Sequence, residues 1–438
     1  MADFLDAIKQ PNSTTEHTDH VRAGNISDEI AISVSHVSKV YKLYDRNRDR
    51  LKEALHIGRN IHCREHFALD DVSFDVKKGE VFGLVGESGC GKTTTGRSII
   101  KLYDITSGNI YFKGKRIAAG TLSYKTAIKN ARKEMKTASA ERKAELKKFI
   151  AEQQKEIRDA KFDHYNCDKL HGKDLANEVK EKYAPLIEKA SGQERADLEK
   201  KFRYEYKIAK KQRYITQIQM IFQDPIASLD PRKTVYETIA EGLVIRGEKN
   251  KEVIDEKVYK VLDMVGLVRE HASRYPHEFS GGQRQRIGVA RAVVMNPEMI
   301  IADEPVSALD VSIQAQVINL LNDLRHKLGL TLIFIAHDLS VVKYFSDRIG
   351  VMYYGKMVEL ASSDELFAHP LHPYTKSLLS AIPLPDPMYE KQRVRIKYDP
   401  LSAHDYSKQA PTMREILPGH FVQCNDAEFE QYKQELGI

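Results

Sequence analysis

The sequence predicts an α/β fold in which short buried strands alternate with helices. Three observations lead to this prediction. Apolar runs of four to seven residues, at 81–85, 299–302 and 330–336, have the length and composition of buried strands. A glycine-rich turn joins the first of these runs to a helical pattern. A highly charged segment with helical periodicity, residues 124–213, interrupts the alternation.

Composition excludes several classes of protein. The chain has 438 residues, of which 42% are hydrophobic and 30% charged, so it can bury a core. Its longest apolar runs have the length of strands, so we expect no membrane span. The first residues lack a basic and apolar leader, so we expect no secretory signal. The four cysteines are too far apart for a CxxC metal site or a disulfide scaffold, which favours a reducing compartment.

The glycine-rich turn has the pattern G-x-x-x-x-G-K-[ST], which is typical of a phosphate-binding loop. Glycines let the backbone turn tightly and direct its N–H groups at phosphate oxygens, and the following helix adds its positive N-terminus. Lys92 would contact the β- and γ-phosphates, and the Thr93 hydroxyl could bind Mg²⁺. The predicted nucleotide-binding residues are Gly86, Glu87, Ser88, Gly89, Cys90, Gly91, Lys92, Thr93 and Thr94.

An acidic pair follows a second buried strand. The apolar run 299–302 leads directly to Asp303 and Glu304. A phosphate loop needs a carboxylate near Mg²⁺ and a group that activates water. We therefore predict Asp303 as a metal-site residue and Glu304 as the general base.

Three further elements fit the same chemistry. Ser280, Gly281, Gly282 and Gln283 begin a helical pattern, which predicts a second anion site that would hold the nucleotide of another subunit. Gln223 follows a buried strand that includes residues 220–222 and would sense Mg²⁺ or the attacking water. His337 follows the strand 332–336 and would contact the γ-phosphate. Each residue taken alone could instead be a turn, a strand-end amide or a capping histidine.

The charged segment 124–213 has 25 Lys and Arg and 16 Asp and Glu, a surplus of nine positive charges. Apolar residues at three- and four-residue steps predict a long helix near 124–162, a polar turn region and a returning helix in two pieces. Ser191 and Glu194 could form a capping box at the second break. Two interpretations stay open: a basic docking arm for nucleic acid, anionic lipid or a protein, or a solvated helical hairpin of mixed charge.

Together these residues resemble the ATPase subunit of ABC transporters, over about residues 31–118 and 214–385. The resemblance identifies a Walker A motif at 86–93, a Q-loop at Gln223, a signature at 279–283 with Phe279 for the usual Leu, a Walker B motif at Asp303, a D-loop at 307–310 and an H-loop at His337. It implies a P-loop NTPase core with an antiparallel β subdomain and a helical signature subdomain, besides the charged helical-hairpin insertion. The aromatic residue that stacks on adenine would be Tyr41 or Tyr44.

Within that family the chain is similar to ATPases of oligopeptide and dipeptide importers, through residues 223–232, 369–379 and 417–422. The implied domains are a discontinuous ATPase domain (31–120 and 214–385), the insertion (121–213) and a C-terminal extension (386–438). Residues 1–30 are polar with little periodicity, so we expect a mobile tail there. Some relatives bind an iron–sulfur cluster in this extension. Only Cys424 lies there, so we expect no cluster.

The resemblance also implies the cofactors and partners. ATP and Mg²⁺ would bind between two ATPase subunits, of which the second would be a paralogue, as is usual in this family. Two transmembrane permease subunits and, indirectly, an extracellular solute-binding protein would complete an importer at the cytoplasmic face of the membrane, with no nucleic acid. The alternative is a soluble ABC ATPase that acts on nucleic acid or ribosomes through its charged arm. The cargo, whether peptide, nickel or another solute, stays open.

Overall fold

A computed structural model describes residues 26–44, 63–382 and 395–438. These residues form two compact units. The first contains residues 26–30, 76–84 and 165–349, and the second contains the remainder. Among the described residues, no helix combines the length and apolar character that a membrane span requires.

The first unit is built on a buried set of strands. Their order is β6 (Ile218–Ile221), β7 (Met299–Asp303), β8 (Thr331–Ala336) and β3 (Val81–Val85). Strand β7 pairs in parallel with both β6 and β8. Strands β3, β7 and β8 are buried at every position, as expected where helices cover both faces of a parallel sheet. The carboxyl ends of β6, β7 and β8 therefore lie along one edge.

Helices surround these strands. In chain order they are α5 (Pro225–Ser228), α6 (Val235–Ile245), α7 (Lys251–Met264), α8 (Gly281–Val293), α9 (Val311–Leu328) and α10 (Leu339–Phe345). Helices α6, α7 and α8 contact one another and form the helical part that the sequence predicted around the signature.

The second unit begins with an antiparallel sheet of order β2 (Cys63–Lys77), β1 (Ile30–Tyr44), β4 (Ser107–Phe112) and β5 (Lys115–Ala119). Lys113 and Gly114 join β4 to β5 with positive φ angles of 50° and 73°, the turn geometry that matches the twist of a hairpin. This sheet is the predicted antiparallel β subdomain. Helix α1 (Lys92–Ile99) follows the glycine-rich turn.

The C-terminal part of the second unit adds β9 (Arg348–Tyr353), β10 (Lys356–Ser362), β11 (Thr412–Leu417) and β12 (His420–Cys424), with β12 between β10 and β11. Its helices are α11 (Ser363–Ala368), α12 (Pro373–Ser380), α13 (Pro400–Ala403) and α14 (Asp426–Leu436). Leu371, Val422, Cys424 and Tyr432 form its core. Cys424 is thus a buried core residue.

The charged segment contains three helices, α2 (Leu122–Glu134), α3 (Ala140–Lys189) and α4 (Gly192–Lys211). The prediction of one helix near 124–162 is wrong, because the chain breaks after Glu134 and restarts where Ser139 Oγ accepts a hydrogen bond from the Arg142 N–H. The predicted polar turn region is also wrong, because α3 continues through it. The break before Gly192 is confirmed, but Ser191 makes no side-chain cap, so the predicted capping box is absent.

Tertiary contacts explain why α3 stays helical through its polar stretch. The Asp168 carboxylate accepts a hydrogen bond from the Ile215 N–H at 3.0 Å, and the His171 ring packs on Tyr214 at 4.9 Å. A Cβ at Gly172 would lie 2.8 Å from the carbonyl oxygens of Lys210 and Gln212, so only glycine allows this close approach. The polar residues of this stretch predicted a turn, but these tertiary contacts stabilise the helical conformation instead.

Candidate functional site

The glycine-rich turn is a backbone conformation that requires its glycines. Gly86, Gly89 and Gly91 have φ angles of 146°, 83° and 108°, a region that other residues rarely adopt. A Cβ on Gly86 would lie 2.2 Å from the carbonyl oxygen of Met352. The loop therefore curls back on itself with its backbone exposed at Ser88 and Gly89, which is the form that a phosphate-binding loop needs.

Lys92 lies inside this loop. Its side chain is only 4% exposed, and Nζ donates hydrogen bonds to the carbonyl oxygens of Gly86 at 2.7 Å and Glu87 at 3.0 Å. These partners are neutral, so the buried ammonium group is bonded but not neutralised by them. It stands at the N-terminus of α1, where Thr93 and Thr94 follow and where the helix dipole also favours an anion.

Tyr374 is a residue of this site to which the sequence assigned no role. Its hydroxyl oxygen accepts a hydrogen bond from the Glu87 N–H at 2.9 Å, and the side chain is buried. Burial raises the pKa of Tyr374, which keeps its hydroxyl protonated. The stretch 369–379, which includes Tyr374, marked the subfamily resemblance, and that stretch was the available signal.

A buried network fixes Tyr374 in turn. His372 caps helix α12 by accepting a hydrogen bond from the Tyr374 N–H at Nδ1, over 3.1 Å. The His372 N–H donates to Glu359, whose carboxylate also bonds the buried ring of His420 at 2.9 Å. Burial, together with the nearby His404 and Lys376, lowers the pKa of His372 to about 3, so it is neutral and can accept.

The predicted catalytic residues Glu304, Gln223 and His337 lie together at the carboxyl edge of the first unit's strands. The Glu304 carboxylate accepts a hydrogen bond from the Gln223 amide at 2.9 Å and lies 3.3 Å from His337 Nδ1. Glu304 is 14% exposed and His337 is 55% exposed, so water can reach the pair from one side.

The backbone at Glu304 is unusual. Its φ angle is 45°, in the left-handed region that residues with a Cβ seldom occupy. The Glu304 N–H donates to the Ile335 carbonyl at 2.9 Å, and this bond holds the strained turn. Such strain typically occurs at functional positions that the surrounding structure determines. Asp303, one residue earlier, is fully buried at the end of β7.

The signature residues form a tight helix start. Ser280 caps α8, with its hydroxyl accepting from the Gln283 N–H and the Gln283 side chain accepting from the Ser280 N–H. A Cβ on Gly282 would lie 2.5 Å from the Ile313 side chain. Ser280 and Gly281 are exposed, so the positive end of this helix is open to an anion outside the chain.

The segment after Gln223 presents an apolar side chain to solvent. Asp224 caps the short helix α5 by accepting hydrogen bonds from the N–H groups of Ile226 and Ala227. Ile226 on that helix is 65% exposed. Arg291 fixes the end of the turn by donating to the Ser228 carbonyl at 2.6 Å. The segment is therefore a turn held by hydrogen bonds that exposes an apolar side chain.

Tyr41, the first candidate for adenine stacking, is half-buried in β1. Its ring packs edge-on against Tyr103 with centroids 6.3 Å apart, and Lys39 Nζ lies 5.0 Å from its centroid. Burial and Tyr103 raise the pKa of Tyr41, and Arg97 opposes them. Tyr44, the other candidate, is the last residue of the same strand.

Comparison with known proteins adds two family matches. The ABC transporter family matches residues 69–196 and 175–307. The C-terminal region of oligopeptide/dipeptide transporters matches residues 358–409, which include Tyr374, His372 and Glu359.

Similar curated proteins cover most of the chain. The oligopeptide transport ATP-binding protein OppF of Bacillus subtilis (strain 168) is 47% identical over 382 residues, with 85% of this chain and 97% of that protein covered. OppF of Streptococcus mutans is 44% identical, covering 89% and 99%. The dipeptide transport ATP-binding protein DppF of Lactococcus lactis subsp. cremoris is 44% identical, covering 84% and 90%.

Proposed function

The chain belongs to the ABC transporter family as an ATP-binding subunit, and from this membership we propose that it hydrolyses ATP to drive an importer for oligopeptides or dipeptides. The match at residues 358–409 and the names of the similar proteins support the peptide cargo. The expected resemblance to this family is confirmed by the same comparisons.

The observation that carries the proposal is the cluster of Glu304, Gln223 and His337. Glu304 is within hydrogen-bond distance of a neutral amide and an imidazole. A carboxylate held in this way can accept a proton from an attacking water, Gln223 can orient that water, and His337 can contact the γ-phosphate. Glu304 is then the general base.

The phosphates of ATP would bind the loop of residues 86–94, with Lys92 exchanging its carbonyl partners for phosphate oxygens. Mg²⁺ would supply charge neutralisation of the β- and γ-phosphates. Thr93, Gln223 and Asp303 offer only oxygen ligands, as this ion prefers.

The exposed end of α8 requires a partner. Ser280 and Gly281 would contact the γ-phosphate bound to a second ATPase subunit, and that subunit would do the same here. ATP would then favour the closed pair and ADP the open pair. The segment 223–232, with Ile226 exposed, would contact one of two permease subunits at the cytoplasmic face of the membrane. An extracellular solute-binding protein would deliver the peptide.

The test reconstitutes this chain with its two permease subunits and the second ATPase subunit in proteoliposomes. We expect Glu304→Gln to retain Mg-ATP binding and to lose hydrolysis about 100-fold or more, because it removes the proton acceptor without changing shape. Peptide uptake should fall in parallel. The exposed Glu270→Gln is the matched control and should leave both unchanged.

Two results would contradict the proposal. If Glu304→Gln hydrolyses ATP at the wild-type rate, Glu304 is not the base. If the purified chain associates with ribosomal RNA or DNA and not with permeases, the alternative of a soluble ATPase is correct.

A further inference from the structure

A groove between helix α2 and the first half of helix α3 is lined mainly by cations. Its volume is about 540 Å³. The eight residues that line it are Lys125, Ile128, Lys129, Arg132, Lys133, Lys136, Gln154 and Ile157. Five of these are positively charged and none is acidic.

The five cations come from one short stretch and all are exposed. Lys125, Lys129 and Arg132 recur at steps of four and three residues, which places them along one face of α2, and Lys136 lies in the turn that follows the helix. At 1.5 Å per residue the three helical cations extend over about 10 Å. The groove is therefore an elongated positive surface and not a single-ion pocket.

The acidic side chains nearby are engaged elsewhere. Glu134 and Glu145 both bond Arg142 at 2.9 Å, and Glu156 and Asp163 both pair with Arg116. Within the ranges that the structure describes, no carboxylate forms an ion pair with any of the five groove cations. The folded insertion thus groups positive side chains apart from its carboxylates, although positive and negative residues alternate in its sequence.

This arrangement is unfavourable for the helix alone. Lys125 and Lys129, like Lys129 and Lys133, are like charges four residues apart on α2, and such pairs repel on a helix surface. A purely solvated helix would gain stability from alternating signs. A bound anion would relieve the repulsion, so the charge pattern points to a ligand.

We propose that this groove binds the anionic phospholipid headgroups of a membrane. An extended row of cations matches several headgroup phosphates at once. Ile128 and Ile157 give the groove an apolar floor, and Leu122 at the start of α2 is 47% exposed and available for the acyl boundary. No aromatic residue lines the groove, which disfavours single-stranded nucleic acid, since its bases stack on aromatic rings.

This inference rests on the proposed function, which places the chain beside a membrane permease. Lipid contact through α2 would hold the ATPase subunit at the membrane in addition to its contact with the permease. The charge on the groove side chains, and not a defined geometry, would provide the affinity, so binding should weaken as salt rises.

The experiment measures flotation of the purified full-length chain with vesicles, without nucleotide or permease. One set of vesicles contains phosphatidylcholine alone, and the other contains phosphatidylcholine with about 30% phosphatidylglycerol, a content that gives an anionic surface. We expect binding only to the second set, with loss of binding at high salt. The triple variant Lys129→Gln, Arg132→Gln, Lys133→Gln should weaken it at least about tenfold, since each cation near an anionic surface adds to the affinity.

The matched control removes the same charge outside the groove. Lys147, Lys148 and Lys155 are exposed cations of α3 that do not line it, and their triple change to Gln should leave vesicle binding near wild type. Equal loss in both triple variants would show that net charge, and not the groove, is responsible. Equal binding to the two vesicle types would also overturn the proposal.

A single-stranded RNA and a polyglutamate peptide are added as competitors to separate other occupants. If either binds through the groove and anionic vesicles do not, the lipid assignment is wrong. Mg-ATP binding by both triple variants should equal wild type, because neither variant touches the phosphate loop. A failure of vesicle binding with ATP binding intact would therefore refute this inference without refuting the proposed function.

Discussion

The second unit contains two surfaces suited to phosphate groups, and they differ in almost every physical respect. The glycine loop offers one lysine, Lys92, which is buried and bonded to two backbone carbonyls. The groove beside α2 offers five exposed cations without carboxylate partners in the described part of the chain. One surface has fixed geometry with little charge, and the other has high charge on mobile side chains.

The difference shows what each surface can recognise. A loop whose φ angles and N–H directions are fixed by Gly86 and Gly91 selects a phosphate chain by shape, and burial shields its charge from salt. Exposed lysines recognise charge density and are screened by salt. Equal chemical changes at the two surfaces should therefore have unequal effects.

The largest expected effect follows from removing the buried lysine. Lys92→Ala should reduce ATP hydrolysis about 10²–10³-fold, because it deletes the one side-chain cation that is preorganised for the transferred phosphate. Steady-state ATPase measurements on the reconstituted complex would detect this. The control is Lys129→Ala in the groove, which should hydrolyse ATP at the wild-type rate. Similar losses in both variants would break the distinction between the two surfaces.

The sequence was sufficient for the parts of the site that depend on local pattern. Asp303, Glu304 and His337 each follow a buried apolar run, and the carboxyl ends of parallel strands meet at one edge, so their chemistry could be predicted. The fold class is confirmed for the same reason. The residue assignments themselves stay predictions until the variants are measured.

What the sequence could not predict depends on contacts between distant positions. Glu87 and Tyr374 are separated by 287 positions, and no local pattern indicates their hydrogen bond. The separation of charges in the insertion is similar, because it depends on Arg116, outside the insertion, pairing with Glu156 and Asp163. Counting charges along the chain therefore left a basic docking arm and a mixed-charge hairpin both open, whereas the structure brings five cations together in one groove.

A smaller effect is expected at the tyrosine that supports the loop. Tyr374→Phe removes the acceptor of the Glu87 N–H and leaves the ring in place, so the start of the loop loses one hydrogen bond that holds it in position. A hydrogen bond of this kind contributes about 1 kcal/mol, which corresponds to a roughly fivefold higher KM for ATP. The kcat should change little, because Tyr374 bonds the nucleotide loop, while Glu304 keeps its own contacts with Gln223 and His337.

The control for this prediction is Tyr398→Phe. Tyr398 is also a tyrosine of the C-terminal region, but its hydroxyl bonds His404 at 3.0 Å and not the loop. A general loss of packing would affect both variants, whereas a positioning effect would raise KM only in Tyr374→Phe. If kcat falls while KM stays constant, Tyr374 does not act through the nucleotide loop.

The smallest effect concerns acid sensitivity of the network behind the loop. In the unfolded chain the pKa of a histidine is about 6.5. In the folded chain, burial lowers the pKa of His372 to about 3. Between these values the unfolded state binds more protons, so the free energy of unfolding decreases as pH falls. His372→Asn keeps a helix-capping acceptor that does not titrate. It should therefore lose less thermal stability than wild type between pH 7.5 and 5.

Comparing how Tm changes with pH in the two proteins separates the contribution of His372 from that of His420, which has the opposite sign. Burial opposes charge on His420, but its hydrogen bond to Glu359 raises the pKa of His420, so that group contributes stability at low pH that is lost as pH rises through its folded pKa. This contribution is present in both proteins and cancels in the difference between their Tm changes. If the Tm of His372→Asn falls as much as that of wild type on acidification, His372 is not the acid-sensitive member of the network, and the support of the loop does not titrate as the structure indicates.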